Sequence, residues 1–251
     1  MKMWNDHFSG HADLYAKARP TYPPEVFAWL RSIAPDGEFA LDVGTGNGQA
    51  AVMLAEHFTK VVACDPSEPQ IKQARHHDHV TFVVAPAEEL PVDDASVSLI
   101  LAAQAAHWFD LPRFFDECRR VLKPGGVLAL LSYGVHHVTP AVDEPVGVLY
   151  HQILEADWPA ERALVESGYA GIELPFGDVP DIPAFEIAME WPVERLLDYL
   201  RSWSATQRHA ARTLQDPVSV VEHEIRDAFG RGTRPVVWPI NVRVAKRDAL
   251  C

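Results

Sequence analysis

The sequence has few cysteines and no long apolar run, and each absence excludes a class of protein. Its three cysteines are too few and too scattered for a disulfide framework or a zinc site. No apolar segment approaches the roughly 20 residues that cross a bilayer, and the first residues lack the apolar core of a signal peptide. We therefore expect a soluble, cytoplasmic protein without a membrane segment or a bound metal.

Positive charge is also scarce. Lysine and arginine total 22 against 35 aspartates and glutamates, which gives a formal net charge of −13. Affinity for nucleic acids comes mainly from basic side chains that neutralise phosphates, so this balance argues against a nucleic-acid partner. Arg119, Arg120 and Lys123 cluster near the predicted end of one helix, where cations offset the helix dipole. The expected partner is a small molecule, and the oligomeric state is left open.

One stretch organises the rest of the chain. The apolar run 39–43 predicts a short buried strand, glycines follow at positions 44, 46 and 48, and residues 50–55 predict the start of a helix. Strand, glycine turn and helix form the nucleotide-binding or nucleoside-binding corner of an open α/β sheet. Glycine is needed there because the backbone must turn tightly and approach a ligand without a Cβ.

The glycine spacing separates candidate ligands. A dinucleotide fingerprint needs a glycine where Gln49 stands, and a phosphate-binding loop needs a lysine that this turn lacks. The motif from Asp42 to Gly48 is instead D-x-G-x-G-x-G. Asp65 follows Gly44 by 21 residues, at the predicted end of the second strand, where an acid accepts hydrogen bonds from ribose hydroxyls. A nicotinamide-dependent oxidoreductase stays as an alternative.

The remaining pattern predicts an α/β fold. Strands predicted at 60–65, 80–84, 97–102 and 127–131 alternate with helices, which is typical of a parallel sheet covered on both faces. From Gly134 onward the alternation is lost and proline is frequent. We predict one domain of 251 residues, with an N-terminal lid over about 1–22, a core over about 23–133, and a C-terminal cap with closing strands over about 134–251. The fold class is a Rossmann-like, doubly wound, mostly parallel seven-stranded sheet with helices on both faces and a helical cap from the C-terminal half.

Six blocks in order resemble one family. They are Tyr15–Pro23, Asp42–Gly48, Asp65–Ser67, Ala87–Pro91, Gln104–Asp110 and Arg120–Gly126. Together they are similar to the S-adenosylmethionine (SAM)-dependent methyltransferases related to trans-aconitate methyltransferase, over residues 8 to 132. The resemblance implies SAM as the cofactor and transfer of its methyl group to an acceptor.

The resemblance also implies which residues bind the cofactor. Asp65 should hold the ribose hydroxyls, Ala87 and Glu88 should border the adenine, and Gln104 with Ala105 should approach the methionine end. Pro86 stands where many relatives carry a polar side chain, so recognition of the adenine amino group falls to backbone groups or to Glu88. The full implied set is Tyr15, Arg19, Asp42, Gly44, Thr45, Gly46, Asp65, Pro66, Ala87, Glu88, Gln104 and Ala105.

The acceptor side is less determined. We predict that Tyr22, Trp108 and Trp203 bind the acceptor and that His107 is the catalytic residue, although a histidine beside an aromatic is equally often packed core. Trp203, with Trp191, is also a candidate for the core of the cap. Arg19 could pair with a carboxylate of the acceptor or with that of SAM.

The histidine groups elsewhere are predicted to be solvated. His76, His77 and His79 look like a metal cluster by number alone, but neighbouring histidines on a helix point apart. His136 and His137 receive the same interpretation.

Methyl transfer from a sulfonium needs alignment and a dry pocket more than it needs catalytic groups. A general base is required only when the acceptor arrives protonated, and a carboxylate needs none. The chain lacks the Asn/Asp-Pro-Pro-aromatic block of DNA amino-methyltransferases and the Pro-Cys pair of cytosine C5 enzymes. We therefore expect a small-molecule acceptor, with a carboxylic acid favoured. The alternative is a sensor or scaffold that binds SAM without turnover.

Overall fold

The computed structural model describes residues 20–249, so the predictions for Tyr15, Arg19 and most of the N-terminal lid lie outside the described residues. The helices are α1 (Pro24–Ile33), α2 (Gln49–Ala55), α3 (Glu68–Lys72), α4 (Leu111–Val121), α5 (Pro140–Val148), α6 (Arg162–Glu166), α7 (Val193–Arg201), α8 (Ser204–Thr213) and α9 (Glu222–Phe229). The strands are β1 (Phe39–Val43), β2 (Lys60–Asp65), β3 (Val80–Val84), β4 (Val97–Ala103), β5 (Leu122–Tyr133), β6 (Gly177–Asp178), β7 (Phe185–Pro192) and β8 (Thr233–Lys246).

All eight strands join one sheet, and seven of them form its main path in the order β3-β2-β1-β4-β5-β8-β6. Strands β1 to β5 are mutually parallel, whereas β8 runs antiparallel to β5. Strand β7 lies off this path and pairs with β8. The carboxyl ends of β1, β2 and β4 therefore meet at one edge, where ligands bind in open α/β sheets. The expected Rossmann-like fold is confirmed.

Two apolar cores cover the two faces of the sheet. Helices α1 and α2 pack on one face through residues such as Phe27 and Leu54, and this core continues into the C-terminal half through Trp191 and Trp238. Helix α4 covers the other face with Phe114, Phe115, Cys118 and Val121. Strand β1 is buried at every position, as a central parallel strand covered on both sides must be.

We call residues 134–232, between β5 and β8, the cap. Strand β8 belongs to both halves of the molecule, because its C-terminal part pairs with β5 and its N-terminal part pairs with β7. Ile240 is the crossing point, since it is paired with Tyr133 on one side and with Phe185 on the other. The division of the chain into one domain with a lid, a core and a cap stays a prediction.

Two local patterns have a different outcome from the one that they predict. The Pro-Gly-Gly pattern at 124–126 is typical of the end of a helix, but these residues lie within β5. The apolar spacing over 193–203 predicts one helix, but α7 ends at Arg201 and a second helix, α8, begins at Ser204. Asp110 occupies the N-cap position of α4, but its side chain makes no capping hydrogen bond.

The basic group near α4 is held by ion pairs rather than by the helix dipole alone. Arg120 pairs with Glu117 and Asp94 and also donates to the carbonyls of Leu90 and Val92. These bonds fix the loop that follows residue 89 to α4. None of the helices in the part of the chain that the structure describes has the length and apolarity needed to cross a bilayer.

Candidate active site

The glycine turn after β1 is held open by backbone geometry. Gly44, Gly46 and Gly48 all have positive φ angles, of 71°, 56° and 82°. The turn is tied to β2 because the N–H groups of Gly44 and Thr45 donate to the carbonyl of Cys64. A Cβ at Gly44 would lie 2.5 Å from the Cβ of Ala105, whereas at Gly46 it would meet no described atom closer than Gln70 Oε1 at 4.0 Å. Gly44 therefore serves close packing, and Gly46 faces space.

Asp42 is a buried acid with spare hydrogen-bonding capacity. Its Oδ2 accepts a hydrogen bond of 2.6 Å from Thr45 Oγ1, but its Oδ1 has no partner within residues 20–249. Burial, with the charge of Asp65 as a smaller contribution, raises the pKa of Asp42 from 3.8 to about 7. An unpartnered buried carboxylate oxygen is costly, so this position suits a donor or a cation supplied by a ligand.

Asp65 closes the other side of the turn. Its Oδ2 accepts from the N–H of Gly46 at 2.9 Å, and its Oδ1 accepts from the N–H of Ser67 at 2.9 Å. Each carboxylate oxygen can accept more than one hydrogen bond, so these contacts orient the group without exhausting it. The side chain of Ser67 caps α3 by accepting a hydrogen bond from the N–H of Gln70. Pro66, between Asp65 and Ser67 in the chain, is partly exposed.

The loop after β3 meets the start of α4. Glu88 Oε1 accepts a 2.7 Å hydrogen bond from the N–H of Asp110. Ala87 is buried, while Pro86 is exposed. One oxygen of Glu88 is thus committed to positioning the segment after β4.

The segment after β4 joins the glycine turn to a cleft. Gln104 has a positive φ of 53°, and its Nε2 donates to the carbonyl of Tyr133 at 2.8 Å. Its Oε1 is buried and has no partner among the described residues. Ala105 packs against Gly44, and a 3₁₀ turn at Ala106–Trp108 then directs His107 and Trp108 into the cleft.

The cleft lies between the carboxyl ends of the strands and the cap. Its volume is about 790 Å³, counted with the part that opens to solvent. Strand ends and the segment after β4 form one wall, and the cap forms the other. The lining residues are Gln104, His107, Trp108, Tyr133, Gly134, Trp158, Pro159, Arg162, Tyr199, Ser202, Trp203 and Ser204.

The comparisons with known proteins agree with this geometry. Residues 41–130 match the model of the methyltransferase domain family. A candidate methyltransferase of Dictyostelium discoideum is 33% identical over 205 residues, which cover 80% of this chain and 78% of that protein. The solved structure of a candidate type II methyltransferase from Anaeromyxobacter dehalogenans has 46% identity and a TM-score of 0.87, and the match covers 92% of this chain and 99% of that one.

The chain belongs to the methyltransferase family. Its cofactor is SAM, as the family match implies. The alternative of a nicotinamide-dependent oxidoreductase is therefore rejected. A more limited similarity joins this methyltransferase to the malonyl-[acyl-carrier protein] O-methyltransferase of Methylococcus capsulatus, with 36% identity over 116 residues. That match covers 43% of this chain and 42% of the relative.

The residues predicted to bind the acceptor lie in different places in the structure. His107, Trp108 and Trp203 line the cleft. Tyr22 is buried, and its ring packs edge-on against Phe27 and Tyr133. Tyr22 therefore supports the cleft from behind Tyr133.

His107 is held by a residue that the sequence did not indicate. Its Nδ1 lies 2.8 Å from the hydroxyl of Tyr169, and its ring lies 4.8 Å from that of Trp108 at a tilt of 46°. Tyr169 is fully buried, with a positive φ of 62°, and burial raises the pKa of its hydroxyl. Tyr169 therefore remains a neutral phenol that fixes the orientation of the imidazole.

One histidine of the methyltransferase lies where it was not expected. His136, predicted to be solvated, is buried against the rings of Tyr199, Trp203 and Trp238, and neither ring nitrogen has a partner in the described part of the chain. Burial lowers the pKa of His136 from 6.5 to about 3. The prediction for His136 was wrong because its burial depends on cap residues distant in sequence. No group of three metal-ligating side chains occurs among residues 20–249.

The cap contributes cleft residues that sequence reasoning missed. Trp158 comes from an irregular segment, and Arg162 and Tyr199 come from two helices. Proline frequency marked this half as irregular. The available signal for a ligand contact was Arg162, which stands between Trp158 and Tyr169 in the sequence.

Proposed function

We propose that this methyltransferase moves the methyl group of SAM to a small carboxylic acid bound in the cleft between the sheet and the cap. One observation carries the proposal. The short segment Gln104–Trp108 touches the glycine turn through Ala105 and lines the cleft through Gln104, His107 and Trp108. A cofactor on the turn and an acceptor in the cleft would therefore share this segment.

The residues around the glycine turn fit SAM. Asp65, oriented by the N–H groups of Gly46 and Ser67, would accept the ribose hydroxyls. The unpartnered oxygens of Asp42 and Gln104 would accept donors at the methionine end of SAM, which carries an ammonium group. The remaining contacts that we propose involve Gly44, Thr45, Pro66, Ala87, Glu88 and Ala105, with Tyr15 and Arg19 from the segment outside the described residues.

The protein's own part in the reaction is to align, to exclude water and to keep the acceptor ionised. When bound, SAM would supply a methyl group carried by a positively charged sulfur. The bond from the acceptor oxygen to the methyl carbon would replace the carbon–sulfur bond, whose electron pair would stay on sulfur and give a neutral thioether. Trp108, Trp203 and Tyr133 give the cleft aromatic walls that exclude water. A carboxylate oxygen attacks without losing a proton, so the site needs no general base.

Two further observations favour a carboxylic acid. The cleft contains a cationic side chain, Arg162, in a chain whose net charge is −13. The similar protein of Methylococcus capsulatus is named an O-methyltransferase that acts on malonyl-acyl-carrier protein. A carboxylate acceptor is consistent with both observations.

The cofactor assignment is tested by Asp65→Ala. We expect SAM binding to weaken by about 1–3 kcal/mol, because charge-assisted hydrogen bonds to the ribose are lost. Asp178→Ala is the matched control, since Asp178 is an exposed acid on the short edge strand, beside Arg243. Calorimetry that finds the same SAM affinity in wild type and Asp65→Ala would remove the ribose assignment.

The reaction is tested by transfer of labelled methyl groups from SAM to a panel of small acids, alcohols, amines and phenols. We expect label in base-labile esters of the acids. Tight SAM binding without transfer to any acceptor would instead favour the sensor or scaffold alternative. Transfer only to DNA, RNA or protein would overturn the small-acceptor proposal.

A further inference from the structure

Arg162 lines the cleft at the first residue of α6, and three contacts fix its guanidinium. Its Nε donates to the hydroxyl of Tyr150 at 2.6 Å. The guanidinium carbon lies 5.3 Å from the centre of the Tyr150 ring and 4.9 Å from the centre of the Trp158 ring. An arginine stacked on aromatic faces in this way has lost much of its conformational freedom before any ligand arrives.

The residues that hold Arg162 are themselves fixed. The Tyr150 hydroxyl donates to Glu166 Oε1 at 2.5 Å, so it uses its proton there and a lone pair for Arg162. Trp158 Nε1 donates to the carbonyl of Tyr150 at 3.0 Å. Burial raises the pKa of Tyr150, which keeps its hydroxyl neutral.

The terminal nitrogens of Arg162 are the part left for a ligand. No hydrogen bond from these nitrogens and no ion pair joins Arg162 to another residue within 20–249. The positive charge of Arg162 also acts on the Tyr169 hydroxyl, which lies beside Nδ1 of His107. The guanidinium therefore lies within electrostatic range of the Tyr169–His107 pair.

We propose that Arg162 determines acceptor specificity by binding the carboxylate of the acceptor through its two terminal nitrogens, while Trp158 and Trp203 contact the apolar part of the acceptor. This inference rests on the proposed function. The planar fork of a guanidinium matches a carboxylate, and such paired charge-assisted bonds are stronger and more directional than neutral ones. Arg162 thereby takes the role that the sequence had allowed for Arg19.

The proposal also explains how the product leaves. Methylation converts the carboxylate into a neutral ester, which offers one weakly basic carbonyl oxygen to the guanidinium in place of a charged pair. Arg162 must then bind the acid more tightly than its methyl ester. Product release is favoured because the charge that held the substrate is gone.

The test measures binding without turnover, in the presence of S-adenosylhomocysteine. The probes are benzoate and hexanoate, each with its primary amide and its methyl ester, followed by ligand-observed NMR and by tryptophan fluorescence. Arg162→Met removes the charge and keeps the aliphatic length. The matched control is Arg195→Met, because Arg195 also stacks on a tryptophan, Trp191 at 5.0 Å, but does not line the cleft.

We expect at least one carboxylate to bind wild type and Arg195→Met about 10-fold or more tightly than its amide and ester. Arg162→Met should lose this preference while its affinity for the amide is unchanged. Arg162→Lys should recover only part of it, because an ammonium group lacks the fork. The preference of wild type should fall as salt is raised.

A second variant protects the test against misfolding of Arg162→Met. Tyr150→Phe removes the bond to Nε but keeps the charge, so it should reduce the carboxylate preference less than Arg162→Met does. The proposal is overturned if no probe carboxylate binds wild type more tightly than its amide, or if the preference survives in folded Arg162→Met. Failure of the proposed function has a different signature, namely intact carboxylate preference with no methyl transfer to any acid.

Discussion

The Tyr169 hydroxyl lies 2.8 Å from Nδ1 of His107, although 62 positions separate the two residues in the chain. The pair fixes one edge of the imidazole and leaves the rest of the ring at the cleft. With a carboxylate acceptor, we expect His107→Ala to lower kcat by less than about 10-fold and to leave the pH profile of the rate unchanged. A general base would contribute about 10²–10⁴-fold. Rate measurements between pH 5 and 9 decide between these roles.

Tyr169→Phe is the companion variant, because it removes the hydroxyl without emptying the site. We expect a smaller loss of activity than in His107→Ala. A fall of 10²-fold or more in both variants, with loss of an acid limb in the profile, would indicate base catalysis and a protonated acceptor such as a phenol.

Gly44 and Gly46 should respond differently to the same substitution. Both have positive φ, so alanine strains either position by about 1–2 kcal/mol. At Gly44 the new Cβ also collides with Ala105, which should add about 1–3 kcal/mol of destabilisation. We expect Gly44→Ala to unfold at lower urea concentration than Gly46→Ala.

Gly46→Ala and Gly46→Val test the ligand side of the turn. The space beside Gly46 is open in the described structure, so folding should tolerate these changes better than SAM binding does. The loss of SAM affinity should be greater for valine. Unchanged affinity in Gly46→Val, measured by calorimetry, would place the cofactor elsewhere.

Asp42 predicts a dependence of stability on pH. Its pKa is raised on folding from 3.8 to about 7, so the folded state holds this proton more tightly than the unfolded state does. The resulting stabilisation is complete below about 3.8 and is lost as the pH rises through about 7. Without SAM, Asp42→Asn should therefore gain stability relative to wild type between pH 5 and 8.5, by roughly 2–4 kcal/mol.

Urea denaturation at both pH values measures this gain, with Asp178→Asn as the control. The same variant should bind SAM more weakly, because the carboxylate that attracts the ammonium group is gone. A stability difference from wild type that is equal at pH 5 and 8.5 would contradict the buried-acid interpretation.

The buried His136 should make the folded state less stable as the pH falls, which is the opposite of the effect of Asp42. Its pKa falls on folding from 6.5 to about 3, so its contribution to stability is complete above 6.5 and is lost as the pH falls towards 3. His136→Leu should remove this loss of stability, which amounts to roughly 2–4 kcal/mol between pH 6.5 and 3. The exposed His137 offers the control His137→Leu. Equal acid sensitivity in wild type and His136→Leu, followed by fluorescence, would refute the prediction.

The core could be predicted from sequence because its signals are local. Strands β2 and β3 have the predicted bounds, since apolar runs there end at turn residues. The spacing of residues alone predicted the glycine turn after β1 and the position of Asp65 at the end of β2. Helix α8 was missed because it buries only Ala205 and Thr206 and otherwise presents polar side chains.

The contacts on the cap side of the cleft could not be predicted from the sequence, for a physical reason. The contact between His107 and Tyr169, and that between His136 and Trp238, join residues that only the assembled cap brings together. Arg162 has a recognisable environment only after Tyr150 and Trp158 fold around it. Composition and periodicity carry no record of such long-range pairs.

Strand β8 has a mechanical consequence for the width of the cleft. At Ile240 the same strand is hydrogen-bonded to β5 and β7, so the wall of the cap and the floor of the sheet share one continuous backbone. Widening the cleft must twist or bend β8 at this point. The distance between the two walls of the cleft is therefore set by the torsional stiffness of β8. A bulkier or smaller side chain at Ile240 would change that distance.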